Sequence, residues 1–136
     1  MAKMPQEVMD LLNERPIVPK VLSTCDAVGT LNVVPKGTLS AIDEETIAFA
    51  DIWGDKTNVN LEATSKAAVA VFKIQVLPVG YQVKGTFQGF QASGPLFDTF
   101  AKQVKEQLNL DIRAVGVLKV EEVYSAGPPD PGARIA

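Results

Sequence analysis

The sequence predicts a mainly β domain, a small antiparallel barrel or sandwich of about six strands with two or three peripheral helices. Short apolar runs with alternating large and small side chains are bounded by Gly, Pro and Asp, which is typical of strands joined by turns. Helical periodicity occurs only near the start, after the third strand and before the last. A doubly wound parallel sheet is disfavoured, because it needs a helix after nearly every strand. At 136 residues the chain is expected to form one domain, residues 1–136.

The first half of the chain is predicted to contain one helix and three strands. The helix begins with Pro5 in its first position and ends near Glu14, because apolar residues recur there at helical spacing. Pro35 and Gly37 mark the far end of the second strand as an edge, a bulge or a place of close backbone approach. The three strands are expected to form a meander, with turns at 26–29 and 43–45. They are predicted over 17–25, 30–39 and 46–50.

The second half is predicted to contain a short helix, a buried strand, a long bent strand, a second helix and a final strand. The bent strand carries two glycines among alternating apolar and polar residues, and bending of this kind closes barrels. One face of the longer helix is apolar and is expected to pack on the barrel; it consists of Leu96, Phe97, Phe100, Val104 and Leu108. The elements span 56–65, 67–74, 81–92, 95–108 and 114–124, with an irregular tail at 128–136.

Composition excludes several classes of chemistry. The chain has no histidine and one cysteine, which removes Ser-His-Asp and Cys-His catalysis, nearly all zinc sites, internal disulfides and iron–sulfur clusters. No catalytic or metal-ligating residue is therefore predicted. The formal net charge of -3 disfavours nucleic-acid binding. No apolar run resembles a signal peptide or a membrane span, so a cytoplasmic protein that binds no membrane is expected.

The junction between the third strand and the short helix is the most informative segment. Lys56 and Thr57 arrive in the first turn of that helix, just after Gly54. Free N–H groups and the positive end of a helix attract phosphate, and a lysine and a hydroxyl strengthen the site. The alternative is that Asp55 simply caps the helix while Lys56 is a solvated surface charge.

The order of motifs resembles the FMN-binding split-barrel family, which includes pyridoxamine 5'-phosphate oxidase and small FMN-binding proteins. The resemblance covers about residues 5–125, through short motifs taken in order. These motifs are Asn32-Val33-Val34-Pro35-Lys36-Gly37, Ala48-Phe49-Ala50, Gly54-Asp55-Lys56-Thr57, Asn60-Leu61 and Tyr81-Gln82-Val83-Lys84-Gly85. It implies a six-stranded antiparallel split barrel of Greek-key topology.

The resemblance also implies a site for FMN and a homodimer. The second strand would run along the flavin ring and offer main-chain groups to its heteroatoms, and the end of the third strand would lie against the ring and the ribityl chain. Lys56 and Thr57 would hold the phosphate, and Gln82 would reach the flavin from the opposite subunit. The cofactor-binding residues so implied are Val33, Val34, Pro35, Lys36, Gly37, Phe49, Ala50, Asp51, Lys56, Thr57 and Gln82.

Departures from the oxidase pattern argue against the activity of a vitamin oxidase in this chain. Asp55 occupies the position of an arginine beside the phosphate lysine, and the late arginine and histidine motif is missing. The main hypothesis is therefore a flavoprotein that carries electrons or reduces a small substrate, with an unidentified redox partner. The alternatives are a split barrel that binds deazaflavin or haem, and a cofactor-free domain that mediates protein contacts.

Overall fold

A computed structural model describes residues 2–136 as one antiparallel sheet of seven strands with three helices. This confirms the mainly β class and the split-barrel expectation, with seven strands instead of six. In the sheet the strands lie in the order β2-β1-β5-β6-β7-β4-β3. In chain order the elements are α1 Gln6–Leu12, β1 Lys20–Cys25, β2 Leu31–Pro35, β3 Ser40–Asp43, β4 Thr46–Asp51, α2 Lys56–Thr64, β5 Lys66–Lys73, β6 Val79–Gln91, α3 Pro95–Leu108 and β7 Ala114–Ser125.

In the predicted meander of the first three strands, the hairpin of the first two is confirmed, but the pairing of the second strand with the third is wrong. The segment 30–39 ends as a strand at Pro35, where a turn closed by the Leu39 N–H and the Lys36 carbonyl (3.2 Å) redirects the chain. The chain then forms β3, which pairs with β4, while β4 pairs on its other side with β7. As a result β2 and β4 lie near opposite ends of the sheet order. Proline and glycine in the Pro35–Gly37 segment explain why the strand cannot continue.

The bend predicted in the long strand is confirmed in β6. Its register with β7 shifts between Lys84 and Gly85 and again between Phe87 and Gly89. Gly89 has a φ of +111°, which favours glycine, and a Cβ on Gly85 would lie 2.8 Å from the Lys119 carbonyl oxygen. The bulges let β6 pair with β5 at one end and β7 along its whole length, and so curl the sheet.

The curled sheet encloses one main core, and α3 covers a second, smaller one. The main core joins α1 to inward residues of β1, β4, β5, β6 and β7, with Phe49 and Leu22 fully buried. The smaller core packs Phe100 and Val104 of α3 on Val115 of β7. The predicted apolar face of α3 is therefore confirmed, except that Leu108 remains 56% exposed.

The C-terminal tail is irregular but docked. The N–H of Val123 donates to the Ala136 carbonyl (3.1 Å), and the N–H of Ile135 donates to the Val123 carbonyl (2.8 Å). The tail therefore lies along the end of β7. None of the helices within residues 2–136 has the length and apolar character to cross a membrane.

Candidate functional site

A cavity lies between α2, α3 and the edge strand β2. Its volume is about 640 Å³, which is within the range of cofactor and small-ligand sites. One end is formed by Lys56 and Thr57 at the start of α2 and the other by α3. Apolar side chains and the turn after β2 form its walls; the wall residues include Ile17, Val34, Pro35, Gly37, Ala50, Ile52, Val104 and Leu108.

The start of α2 presents free hydrogen-bond donors to this cavity. Asp55 occupies the N-cap position, but its side chain makes no capping hydrogen bond, so the alternative in which it simply caps the helix is not observed. Within residues 2–136 the backbone N–H groups of Lys56, Thr57 and Asn58 have no hydrogen-bond acceptor. Together with the positive end of the helix, these groups can bind an anion.

Thr57 is 4% exposed and has a defined hydrogen-bond role. Its hydroxyl oxygen accepts a hydrogen bond from the side-chain amide of Asn32 on β2 (3.1 Å). Since one lone pair of the oxygen is engaged, the hydroxyl hydrogen is available to a ligand acceptor. Lys56 is more loosely held, because its ammonium lies 3.9 Å from the Asp26 carboxylate and the side chain is 56% exposed.

The free edge of β2 borders the cavity. β2 pairs only with β1, and the N–H of Lys36 donates to the carbonyl of Lys20 (3.0 Å). In an antiparallel pair, hydrogen-bonded and non-hydrogen-bonded residues alternate. With the observed register, the main-chain groups of Val33 and the carbonyl of Pro35 therefore point away from β1, toward the open edge. This edge offers both a donor and acceptors to a planar ligand.

Lys36 lies in the cavity wall above a buried aromatic ring. Its ammonium is 5.2 Å from the ring centroid of Phe49, a distance typical of cation–π contact. Burial lowers the pKa of Lys36; the nearby Asp51 carboxylate opposes this effect, and Arg113 adds to it. Lys36 is thus a partly desolvated cation beside the apolar part of the cavity.

Asp51 and Arg113 hold the turn that leads into α2. The Asp51 carboxylate accepts hydrogen bonds from the Arg113 guanidinium (3.0 Å) and from the Gly54 N–H (2.9 Å). The same guanidinium nitrogen donates to the Gly54 carbonyl (2.6 Å), and the Arg113 N–H donates to the Asp51 carbonyl (2.8 Å). The carboxylate of Asp51 is therefore engaged within the protein and does not line the cavity.

Seven of the eleven residues implied by the resemblance line the cavity: Val34, Pro35, Lys36, Gly37, Ala50, Lys56 and Thr57. Three others lie beside or behind it. The Val33 side chain points outward and is 63% exposed, whereas Phe49 and Asp51 are buried behind the wall. Their neighbours face the cavity because side chains alternate along a strand.

Gln82 lies away from the cavity of its own chain. Across the sheet, Gln82 of β6 pairs with Ala70 of β5. Ala70 pairs with Val21 of β1, and Val21 pairs with Pro35 of β2. Three strand spacings of about 4.8 Å therefore separate Gln82 from β2, and a glutamine side chain does not span that distance. Gln82 therefore lies outside the cavity of its own chain.

Sequence reasoning missed several residues of the site. Asn32 was recognised only as part of a motif, although its position two residues from Val34 places both on the cavity side of β2. Trp53 is 77% exposed at the cavity mouth and is not a core residue. Arg15, Gln103 and Gln107 line the far end, and no local pattern in the sequence indicates that the chain brings them there.

The fold and the cavity define a split-barrel domain in which a helix start with free N–H groups lies beside a largely apolar cavity. A sequence model of the pyridoxamine 5'-phosphate oxidase family matches residues 4–127. The chain therefore belongs to this family. No curated protein sequence gives a significant match.

Among the solved structures with the same fold, two are similar in shape to this chain. HupZ from Group A Streptococcus is 26% identical with a TM-score of 0.82, and the match covers 98% of this chain and 99% of HupZ. An FMN-binding protein from Syntrophomonas wolfei subsp. wolfei is 24% identical with a TM-score of 0.81, covering 88% of this chain and 84% of that protein.

Two further structures share the fold at lower identity. An F420 reductase is 18% identical with a TM-score of 0.67, covering 88% of this chain and 98% of the reductase. HutZ, the heme storage protein from Vibrio cholerae, is 14% identical with a TM-score of 0.66, covering 90% of this chain and 94% of HutZ. The fold is therefore shared by proteins named for different cofactors.

Proposed function

We propose that this protein is a homodimeric FMN-binding flavoprotein that carries electrons or reduces a small substrate. The observation that carries the proposal is the start of α2, where three free N–H groups, the Thr57 hydroxyl and the Lys56 ammonium converge at one end of the cavity. These are the donors that a terminal phosphate requires. The residues present therefore fit the phosphate end of FMN.

The remainder of the cavity fits a planar ring system. Val34, Ala50 and Ile52 offer apolar contact, and the free edge of β2 offers main-chain hydrogen bonds. Bound FMN supplies hydride and single-electron transfer through its ring, so the protein needs to bind, orient and shield it. Lys36 adds a positive charge on the wall of the same cavity. No protonatable catalytic side chain is required.

Vitamin oxidation is not proposed, because the two late arginines are engaged elsewhere. Arg113 binds Asp51 and Gly54, while Arg134 lies 3.5 Å from Glu122 in the tail. Neither of them lines the cavity, and the chain contains no histidine. The late arginine and histidine that the resemblance associates with the vitamin substrate are therefore missing from this site.

Haem and deazaflavin suit the cavity less well. Protein ligands of haem iron are His, Cys, Met and Tyr, and none of these residue types lines the cavity. Deazaflavin carries a longer anionic tail, but the cations lining the cavity are limited to Arg15, Lys36 and Lys56, with Asp55 opposing them. A cofactor-free domain would give no role to a cavity of about 640 Å³ beside the start of α2.

The outer face of the sheet supports the homodimer. We define it as the residues of β1, β2, β5 and β6 that point away from the core: Val21, Ser23, Cys25, Leu31, Val33, Pro35, Lys66, Ala68, Ala70, Phe72, Gln82, Lys84 and Thr86. Leu31 is 78% and Val33 63% exposed, and the small side chains at the centre allow close approach of a second sheet. A second copy on this face would cover the apolar surface and carry its Gln82 toward the neighbouring chain.

The test is the absorption spectrum of the purified protein, followed by mass spectrometry of the extracted cofactor. We expect flavin bands and FMN. Titration of Lys56→Ala with FMN and with riboflavin then examines the phosphate clamp, and Lys102→Ala, an exposed lysine on α3, is the matched control. A loss of about 1–3 kcal/mol in binding free energy is expected for FMN alone. Protein that stays colourless with FMN, or that binds haem instead, contradicts the proposal.

A further inference from the structure

We infer that Arg113 is a positioning residue that holds the phosphate-binding end of the cavity in its binding geometry. The inference rests on the proposed FMN site and adds a residue that lies outside the cavity. Arg113 precedes β7, whereas the turn that it contacts, Asp51–Gly54, joins β4 to α2. The two segments are 62 residues apart in sequence, so the contact is made only in the folded protein.

One guanidinium nitrogen of Arg113 bridges both ends of the turn. It donates to the Asp51 carboxylate at the first residue and to the Gly54 carbonyl at the last. The same carboxylate oxygen accepts from the Gly54 N–H, so the turn is closed in a ring of three hydrogen bonds. Charge-assisted bonds of this kind are stronger than neutral ones and fix orientation.

The side chains of Asp51 and Asn58 pack closely against Gly54 in this turn. A Cβ placed on Gly54 would lie 2.6 Å from the Asp51 carboxylate oxygen and 2.7 Å from the Asn58 amide nitrogen. Asp51 is 5% exposed, and without Arg113 its buried carboxylate would lose its cationic partner. Since Lys56 is two residues beyond Gly54, a shift of this turn displaces the donors at the start of α2.

Arg113 also supplies charge balance near the ligand site. Asp55 and Asp26 both lie close to Lys56, and Asp51 is a third carboxylate behind the same wall. Pairing Asp51 with a guanidinium removes its negative field from the place where a phosphate dianion would bind. Asp55 occupies the position that an arginine holds in the oxidase pattern. Here Arg113, from another part of the chain, brings a guanidinium to the same turn.

The experiment measures FMN and riboflavin affinity for Arg113→Met, which keeps the apolar stem, and for Arg113→Lys. The single tryptophan, Trp53, lies at the cavity mouth, so its fluorescence can report binding. We expect Arg113→Met to weaken FMN binding about tenfold to a hundredfold, with riboflavin affinity changed less than about twofold. Arg113→Lys should restore part of the loss, and Arg134→Met, the matched control, should change neither affinity.

A general structural role predicts different results. It would weaken FMN and riboflavin equally and would add to the effect of Lys56→Ala, whereas positioning of the phosphate donors predicts that the losses from Arg113→Met and Lys56→Ala are less than additive. Equal losses, additive losses or unchanged FMN affinity would overturn the inference.

Hydrogen exchange separates this inference from the proposed function. The Gly54 amide should exchange faster in Arg113→Met, since its acceptor loses its partner. Unchanged exchange overturns the inference whether or not FMN binds. Wild-type protein that binds no FMN, but whose Gly54 amide is protected by Arg113, would contradict the proposed function and leave Arg113 as the residue that orders this turn.

Discussion

The side-chain amide of Asn32 donates a hydrogen bond to the hydroxyl of Thr57 (3.1 Å) and so ties the edge strand β2 to the first turn of α2. The two residues lie at the end of the cavity where a phosphate would bind. By occupying one lone pair of the Thr57 oxygen, Asn32 directs the hydroxyl hydrogen away from β2. This hydrogen bond connects the two walls of the proposed FMN site, β2 and the first turn of α2.

Changing Asn32 should therefore affect phosphate recognition. We expect Asn32→Ala to weaken FMN binding by about 1 kcal/mol, because the Thr57 hydroxyl becomes free to turn away. Asn32→Asp should cost more, since a carboxylate would accept the hydroxyl hydrogen and would repel the phosphate. Calorimetric titration with FMN measures both. Equal affinities for the two variants would contradict the assigned direction of the hydrogen bond.

Thr57 itself provides a sharper comparison. Thr57→Val removes the hydroxyl with little change in shape, whereas Thr57→Ser keeps it. Thr57 is buried, so its replacement by valine also leaves the Asn32 amide without its partner. We expect roughly a tenfold loss of FMN affinity for valine and a small change for serine. Riboflavin titration is the control, because it lacks the phosphate. A valine variant with undiminished FMN affinity would exclude the hydroxyl as a phosphate donor.

Gly116 on β7 is required by the ring of Phe49. A Cβ at residue 116 would lie 2.6 and 2.8 Å from the two ε carbons of that ring, which is fully buried. Gly116→Ala should therefore lower the free energy of unfolding by about 1–3 kcal/mol. Urea denaturation measures this, with Gly37→Ala as the control, since a Cβ there meets no atom within 4 Å. In a Phe49→Leu background the cost should shrink, and a cost that stays unchanged would show that the ring is not its cause.

Lys20 predicts a pH dependence of stability. Its side chain is 5% exposed and donates to the carbonyls of Leu12 (2.9 Å) and Leu39 (2.5 Å), and burial, together with the charge of Arg15, lowers its pKa from 10.5 to about 8. Between these two pH values the unfolded chain binds more protons than the folded protein. The stability contributed by this group therefore rises as pH increases from about 8 toward 10.5 and is lost as pH falls through about 8.

The measurement compares the wild type with Lys20→Met by urea denaturation at several pH values. The difference between their free energies of unfolding should shift in favour of the wild type as pH rises, by at most ~1.4 kcal/mol per pH unit inside this window. Using the difference removes the titration of the other lysines and tyrosines. Parallel curves for the two proteins would mean that the pKa of Lys20 is not lowered on folding.

The outer face predicts how the proposed homodimer can be broken. Ala70 lies at its centre, paired with Val21 and Gln82. Ala70→Glu should give a folded monomer, because the new carboxylate points away from the core but would be buried between two copies. The variant should also bind FMN more weakly, because the monomer lacks Gln82 of the second subunit. Sedimentation velocity with and without FMN tests this, with Lys102→Glu on α3 as the control. A wild-type protein that is monomeric at micromolar concentration with FMN bound would contradict the homodimer.

Most of the secondary structure and part of the site could be predicted from the sequence. The helix beginning at Lys56 and the bent strand around Gly85 and Gly89 were predicted because periodicity, turn residues and helix starts are local properties. The pairing of the strands was predicted only in part: the hairpin of β1 and β2 is observed, but β4, the third predicted strand, pairs with β3 and β7 rather than with β2. The reason is that closing the curled sheet around one core outweighs proximity along the chain.

The sequence by itself determined the class of fold, the absence of histidine chemistry and the position of the Lys56-Thr57 helix start. Only the tertiary structure decided which groups surround that start. It brought Asn32 to Thr57 across 25 residues and Arg113 to Asp51 across 62, and it put Gln82 on the face opposite the core. The physical reason is that a side chain's tendency to form a helix or strand depends on its immediate neighbours, whereas its hydrogen-bond partner depends on how the whole sheet closes.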